Sequence, residues 1–224
     1  VCGYTENAEL NGYAPYSNSK SCSELVTGCY QRSFFENRDI AVSTFRAGNV
    51  IGGGDFARDR IIPDCVRAAE KGQDIIIRNP DSIRPYQHVL EPVMAYLMAA
   101  RAQYQDKSLA GAYNIGPDEE DSITSGKIAG LFCGKWQELS GKRQEWVAQG
   151  DHGPHEAGLL KLDCGKVKEI FGWRPVWKIE QTVKETAEWY YRFLQKEDMR
   201  DFTAKQTQKY MAGKNNGTGG REPL

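Results

Sequence analysis

The chain reads as an α/β protein. Short β-branched runs of strand length alternate with stretches whose apolar residues recur every three and four positions. Glycine and proline punctuate the boundaries between them. The composition is that of an ordinary soluble globular chain, with 40% hydrophobic and 26% charged residues over 224 positions, enough for one large domain or two small ones with a substantial core. Strands alternating with helices predict a sheet with right-handed crossovers. In such sheets ligands bind beyond the carboxyl ends of the strands.

Residues 1–15 read as loop, with Asn11-Gly12 and Ala14-Pro15 as turn signals. From Ser17 to about Asn37, Cys22, Leu25, Val26, Cys29, Tyr30 and Phe34 form a helical stripe. Asp39 to Phe45 is a β-branched run and a predicted buried strand, followed by a glycine-rich loop from Arg46 to Asp55. Pro63 predicts a helix start and Gly72 its end. Asp74 to Arg78 is a predicted strand, and Asn79-Pro80-Asp81 a turn. The motif Arg84-Pro85-Tyr86-Gln87-His88-Val89 follows. A helix is predicted over 91–104 and a strand over 112–115, stopped by Gly116-Pro117. Further helices are predicted over 123–134, 163–171 and 180–197, and a strand over 144–148. Beyond Met199 the periodicity fades. Residues 201–224 read as a tail, disordered from 212, where glycine, proline and asparagine accumulate. There is no internal repeat.

The formal net charge of −1 offers no global field to attract nucleic acid or an anionic membrane. No apolar run has membrane-spanning length, and no basic start with an apolar stretch suggests a signal peptide. Six cysteines without a Cys-x-x-Cys pair and only three histidines predict no metal site. Scattered cysteines of this kind read as small buried hydrophobes, reduced in a cytoplasmic protein. The opening Val-Cys-Gly-Tyr looks like the middle of a protein and predicts an upstream part.

Tyr16 and Lys20 are the leading catalytic candidates. Four residues apart at a helix start, they share one helical face, and the ammonium favours the phenolate. Such a tyrosine can exchange a proton with a sugar hydroxyl while a hydride leaves the same carbon. Their bland reading is a helix-start tyrosine and a solvated lysine. Tyr210 and Lys214 repeat the spacing, but in the tail, without apolar periodicity. Four glycines between 46 and 55 let backbone approach a sugar or phosphate, with the Asn49 amide donating, or form an ordinary turn. They match neither the P-loop nor the dinucleotide fingerprint. Arg60 and Arg84 are candidate phosphate ligands with planar forks, or surface residues. Asp151-His152-Gly153-Pro154-His155-Glu156 reads as a polar loop closing over a ligand, or as a solvated loop, rather than a metal site.

Taken together, Tyr16-x-x-x-Lys20, the string Arg46 to Asp55, Asp59-Arg60-Ile61-Ile62-Pro63-Asp64, Ile77 to Pro80, Arg84 to Pro92 and His155 to Cys164 resemble extended short-chain dehydrogenases/reductases acting on nucleotide sugars. Within that group they are most similar to the branch that dehydrates CDP-glucose. The resemblance implies the carboxy-terminal part of a Rossmann-type doubly wound parallel sheet, plus a smaller α/β substrate-binding domain. It divides the chain into 1–54 with 88–116 for the NAD-binding part, and 55–87 with 117–200 for the nucleotide-sugar part.

It also implies tightly held NAD, CDP-glucose as partner, and a homodimer paired through the helix carrying Tyr16 and Lys20. Tyr16 would take the O4 proton as hydride leaves C4. Water would then leave across C5 and C6, and the hydride would return to C6. Lys20 would also bond the nicotinamide ribose. Asn49 and Arg84 would contact the pyrophosphate, and Arg60 and His155 the nucleotide side. The group's Gly-x-x-Gly-x-x-Gly segment is not in this sequence, which predicts an active parent enzyme and an inactive isolated chain. A nucleotide-sugar 4-epimerase, a dehydratase of dTDP- or UDP-sugars, and a non-catalytic nucleotide-sugar-binding module are the competing readings.

Overall fold

The computed structural model describes residues 3–149 and 158–217, the last three by their backbone alone. In chain order its elements are α1 (Pro15–Tyr30), β1 (Thr44–Ala47), β2 (Asn49–Ile51), α2 (Ile61–Glu70), β3 (Ile75–Ile77), β4 (Ile83–His88), α3 (Leu90–Gln105), β5 (Ala112–Ile115), β6 (Ser122–Thr124), α4 (Ser125–Ser140), β7 (Trp146–Ala148), α5 (Gly165–Phe171), α6 (Ile179–Leu194) and α7 (Met199–Gly217). No described helix is long and apolar enough to cross a membrane. The chain forms two compact units, each with its own core.

The first unit holds the residues up to Ala47, Pro92–Ile115 and Leu162–Arg174. β1 and β5 run parallel in register from Thr44↔Ala112 to Ala47↔Ile115. Alternation along β1 sends Phe45 to one face, where it stacks on Tyr113. Ala95 and Ala99 of α3 and Val167 and Phe171 of α5 complete that core. The stretch 162–174 belongs here because Phe171 packs on Tyr113, ring centroids 4.8 Å apart. Thr44 and Arg46 point the other way and meet Glu24 of α1.

The second unit holds Gly48–Glu91, Gly116–Lys161 and the residues from Pro175 onward. β4 lies between β2, parallel, and β6, antiparallel. β3 pairs in parallel with β7. Their core is built from Ile62 and Cys65 of α2, Ile128 and Phe132 of α4, and Val183 and Tyr190 of α6.

The structure departs from the sequence reading at several places, among them Cys22 and Cys29, which are exposed rather than buried. The predicted strand 39–45 begins only at Thr44, whose N–H bonds Gly111 O where the β5 ladder starts. Half of the loop 46–55 is strand, and the turn that follows Gly52 is made by Gly53 and Gly54. β4 runs through Pro85, a residue that argues against a ladder position. It is accommodated at the ends of both ladders: pairing with β2 begins one step later at Asn49↔Tyr86, and pairing with β6 ends at Pro85↔Ser122. Finally, the predicted tail is helix α7 as far as Gly217, and Tyr210 on it is fully buried.

Candidate active site

The start of α1 is built to a narrow tolerance. Pro15 occupies its first turn, where a missing N–H costs nothing. Ala14 N–H donates to Ser17 Oγ at 3.1 Å, and the Ser17 hydroxyl donates back to Ala14 O at 2.9 Å. Gly12 lies so close beneath that a Cβ there would stand 2.3 Å from Asn18 N. These contacts fix the first turn, and with it Tyr16. Lys20 lies one turn on, its Nζ 5.2 Å from the centroid of the Tyr16 ring, a cation–π distance. Tyr16 is 76% exposed. Among the described residues Lys20 has no carboxylate partner.

One further turn along α1, Glu24 faces the sheet. It accepts from Thr44 Oγ1 at 2.8 Å and from Arg46 Nε and Nη2 at 3.0 and 3.2 Å. Arg46 Nη1 donates to Glu6 O, and Glu6 accepts the Asn114 N–H. Burial pushes the Glu24 carboxyl up, but Arg46 and Thr44 outweigh it and hold it below the usual carboxylate range. Glu24 and Arg46 were not singled out from sequence. The spacing Tyr16, Lys20, Glu24 was the available signal, since it places the carboxylate within the same helical sector.

The other candidates lie in the second unit. Asn49 opens β2 opposite Tyr86. Arg84 is buried in β4 and its Nη1 donates to Ile83 O. Arg60, just before α2, pairs with Asp55 at 2.7 Å. Burial raises the Asp55 carboxyl, but the Ala57 N–H and the Arg60 guanidinium together outweigh it and bring it below its usual range. Tyr190 clasps the same residue, accepting Asp55 N–H at 3.0 Å and donating to Asp55 O at 2.5 Å. The structure therefore places Tyr16 with Lys20 in one unit, and Asn49, Arg60 and Arg84 in the other. His155 lies outside the described residues.

The glycines of 52–54 are used first for internal packing. A Cβ on Gly52 would stand 2.7 Å from Val89 Cγ1, and one on Gly53 would stand 2.1 Å from Trp189 Cδ2. Only Gly54 needs its freedom of backbone, at φ +85°. Under the loop lies His88, which burial pushes down to about 3. Its Nδ1 accepts Leu90 N–H, so the neutral ring carries its proton on Nε2. Beside it Glu91, fully buried, accepts from Val176 N, Trp177 N and Tyr210 Oη at 2.7–3.2 Å. Those three donors make a buried carboxylate tolerable here.

Comparison with known proteins then gives the following. The family described as GDP-mannose 4,6 dehydratase matches residues 2–186. The chain is 41% identical over 218 residues to a CDP-glucose 4,6-dehydratase of Salmonella typhimurium, covering 95% of this chain and 60% of that protein. A dTDP-glucose 4,6-dehydratase of Bacillus anthracis, solved in complex with NAD, superposes with a TM-score of 0.65 at 22% identity, over 86% of this chain and 57% of that one. A UDP-glucose-4-epimerase of Stenotrophomonas maltophila gives 0.71 at 14% identity, over 88% and 60%. These two likenesses show the fold, a Rossmann-type α/β arrangement. The chain spans about three-fifths of the length of each.

Proposed function

Because the chain belongs to the GDP-mannose 4,6 dehydratase family, we propose that it carries the proton-transferring and substrate-facing part of an NAD-dependent hydro-lyase acting on CDP-glucose. The observation that carries this reading is the Tyr16–Lys20 pair, fixed at a helix start with its ammonium over the phenol ring. The identity to the Salmonella protein favours CDP-glucose among nucleotide sugars.

The residues present fit a nicotinamide nucleotide. An exposed phenol and an ammonium without a carboxylate partner among the described residues, side by side, suit a ribose diol and a reacting hydroxyl. Lys20 would hold the nicotinamide ribose and Tyr16 would face the reacting carbon. When bound, that nucleotide would supply reversible hydride chemistry at the reacting carbon. Tyr16 would start as the phenolate, with Lys20 beside it balancing that charge, and would become neutral on taking the proton of the sugar O4 hydroxyl. Asn49 and Arg84 would orient the substrate pyrophosphate. Arg60, with His155, would lie toward the nucleotide. The protein is proposed to act as a homodimer joined through α1, and to work in the cytoplasm.

The test is made on the whole protein with CDP-glucose. Formation of CDP-4-keto-6-deoxyglucose is expected, and Tyr16→Phe should lower kcat by about 10²–10⁴-fold while CDP-glucose still binds. A 4-epimer as sole product would establish an epimerase instead. Binding without any chemistry would establish a non-catalytic nucleotide-sugar module.

A further inference from the structure

Helix α7 lies wholly beyond residue 186, where the family match ends. It is held by individual polar side chains rather than by an apolar stripe. Gln206 Nε2 donates to Glu185 O and Oε2 at 3.0 and 3.2 Å, and Lys209 pairs with the same carboxylate. Thr203 Oγ1 accepts from Trp189 Nε1 at 3.0 Å, and the Tyr210 hydroxyl donates to Glu91 at 2.7 Å.

Two of these contacts lead to the glycine turn. Trp189 lies directly on Gly53, so closely that no other residue fits there. Tyr210 meets Trp177 edge to face at 5.2 Å, and Trp177 meets His88 in the same way at 4.7 Å. His88 Nε2 comes within 3.8 Å of where a Cβ of Gly52 would stand. Three consecutive glycines lose more freedom on ordering than any other sequence of that length. A ligand that needs this turn ordered binds more weakly if the protein has not already ordered it.

We propose that α7 is a positioning element for the turn Gly52-Gly53-Gly54, with Thr203 and Tyr210 acting through Trp189 and Trp177 to hold the turn ready for the nucleotide sugar. The proposal rests on the reading above, in which Asn49, at the start of the strand β2 that leads into this turn, contacts the substrate pyrophosphate.

The experiment uses the whole protein and CDP-glucose as probe, with titration calorimetry alongside steady-state kinetics. Thr203→Val and Tyr210→Phe should each weaken CDP-glucose binding about 2- to 10-fold, the worth of one hydrogen bond. KM should rise in proportion, while kcat and the affinity for NAD stay within about twofold of wild type. Thr203→Ser, which keeps the acceptor, should restore wild-type binding, and this pair decides the matter if Tyr210→Phe folds poorly. Variants that melt earlier but bind CDP-glucose with wild-type affinity would reduce α7 to a structural brace and overturn the proposal alone. Wild-type protein that binds no CDP-glucose would overturn the functional reading and this proposal together.

Discussion

At the scale of single residues, Glu24 links the helix that carries Tyr16 and Lys20 to the sheet. Its carboxylate joins α1 to Thr44 and Arg46 on β1 through three hydrogen bonds, and its side chain is only 17% exposed. Tyr16 is too exposed to be held by packing of its own, so its position depends on the backbone beneath it and on where Glu24 anchors that helix. The sign of the pH effect follows from the folded carboxyl lying below its usual value. The stabilisation is complete above the unfolded-state value and is lost as pH falls through the lower, folded one. Glu24→Gln should therefore cost on the order of 1–2 kcal/mol at neutral pH. Urea unfolding should show the gap from wild type closing as the pH is lowered past that folded value. A gap that stayed constant down to strong acid would show that the charge of Glu24 is not what holds α1.

At the scale of elements, α1 and α7 are mirror cases of what periodicity reveals. The stripe on α1 was legible, yet it does not face a core: Leu25, Val26 and Tyr30, with Phe34 just beyond the helix, are each more than half exposed, and Ser21 is the helix's one buried residue. An apolar helix face left open in this way suits pairing with another copy of itself. The variant Leu25→Glu with Phe34→Glu should convert the proposed dimer to monomer in light scattering. A dimer that persists unchanged would place the interface elsewhere. α7 was missed for the opposite reason. Its buried positions Gln206 and Tyr210 keep helical spacing, but they are polar and reach carboxylates on distant segments. A hydrophobicity pattern carries no trace of such partners. The same Tyr210 that looked like a chance repeat of the Tyr-x-x-x-Lys spacing is a core residue.

At the scale of the whole molecule, the alternation of strands and helices was plain in the sequence where a strand is a short β-branched run, as β3 is, and where a helix carries an apolar stripe, as α2 and α6 do. The candidate site was legible only as separate strings. Tyr16-x-x-x-Lys20 announced its spacing, whereas the dependence of Tyr16 on Gly12, and of the glycine turn on Trp189, is a matter of distances that no local pattern encodes. The chain also spans only three-fifths of its Salmonella relative. Residues 1–224 contain no Gly-x-x-Gly-x-x-Gly segment, and among the described residues β1 and β5 pair only with each other. A pyrophosphate needs closely approaching backbone N–H groups at a helix start to be held tightly. Without them, Tyr16 as the proposed proton acceptor and Lys20 as its cation lack a fixed hydride carrier. Residues 1–224 on their own, given NAD and CDP-glucose, should therefore form no 4-keto sugar, whereas the proposed function expects turnover from a chain that also carries such a segment. Turnover by residues 1–224 alone would mean that the second unit or α1 holds the nicotinamide nucleotide unaided, and the assignment of roles to Tyr16 and Lys20 would have to be redrawn around that site.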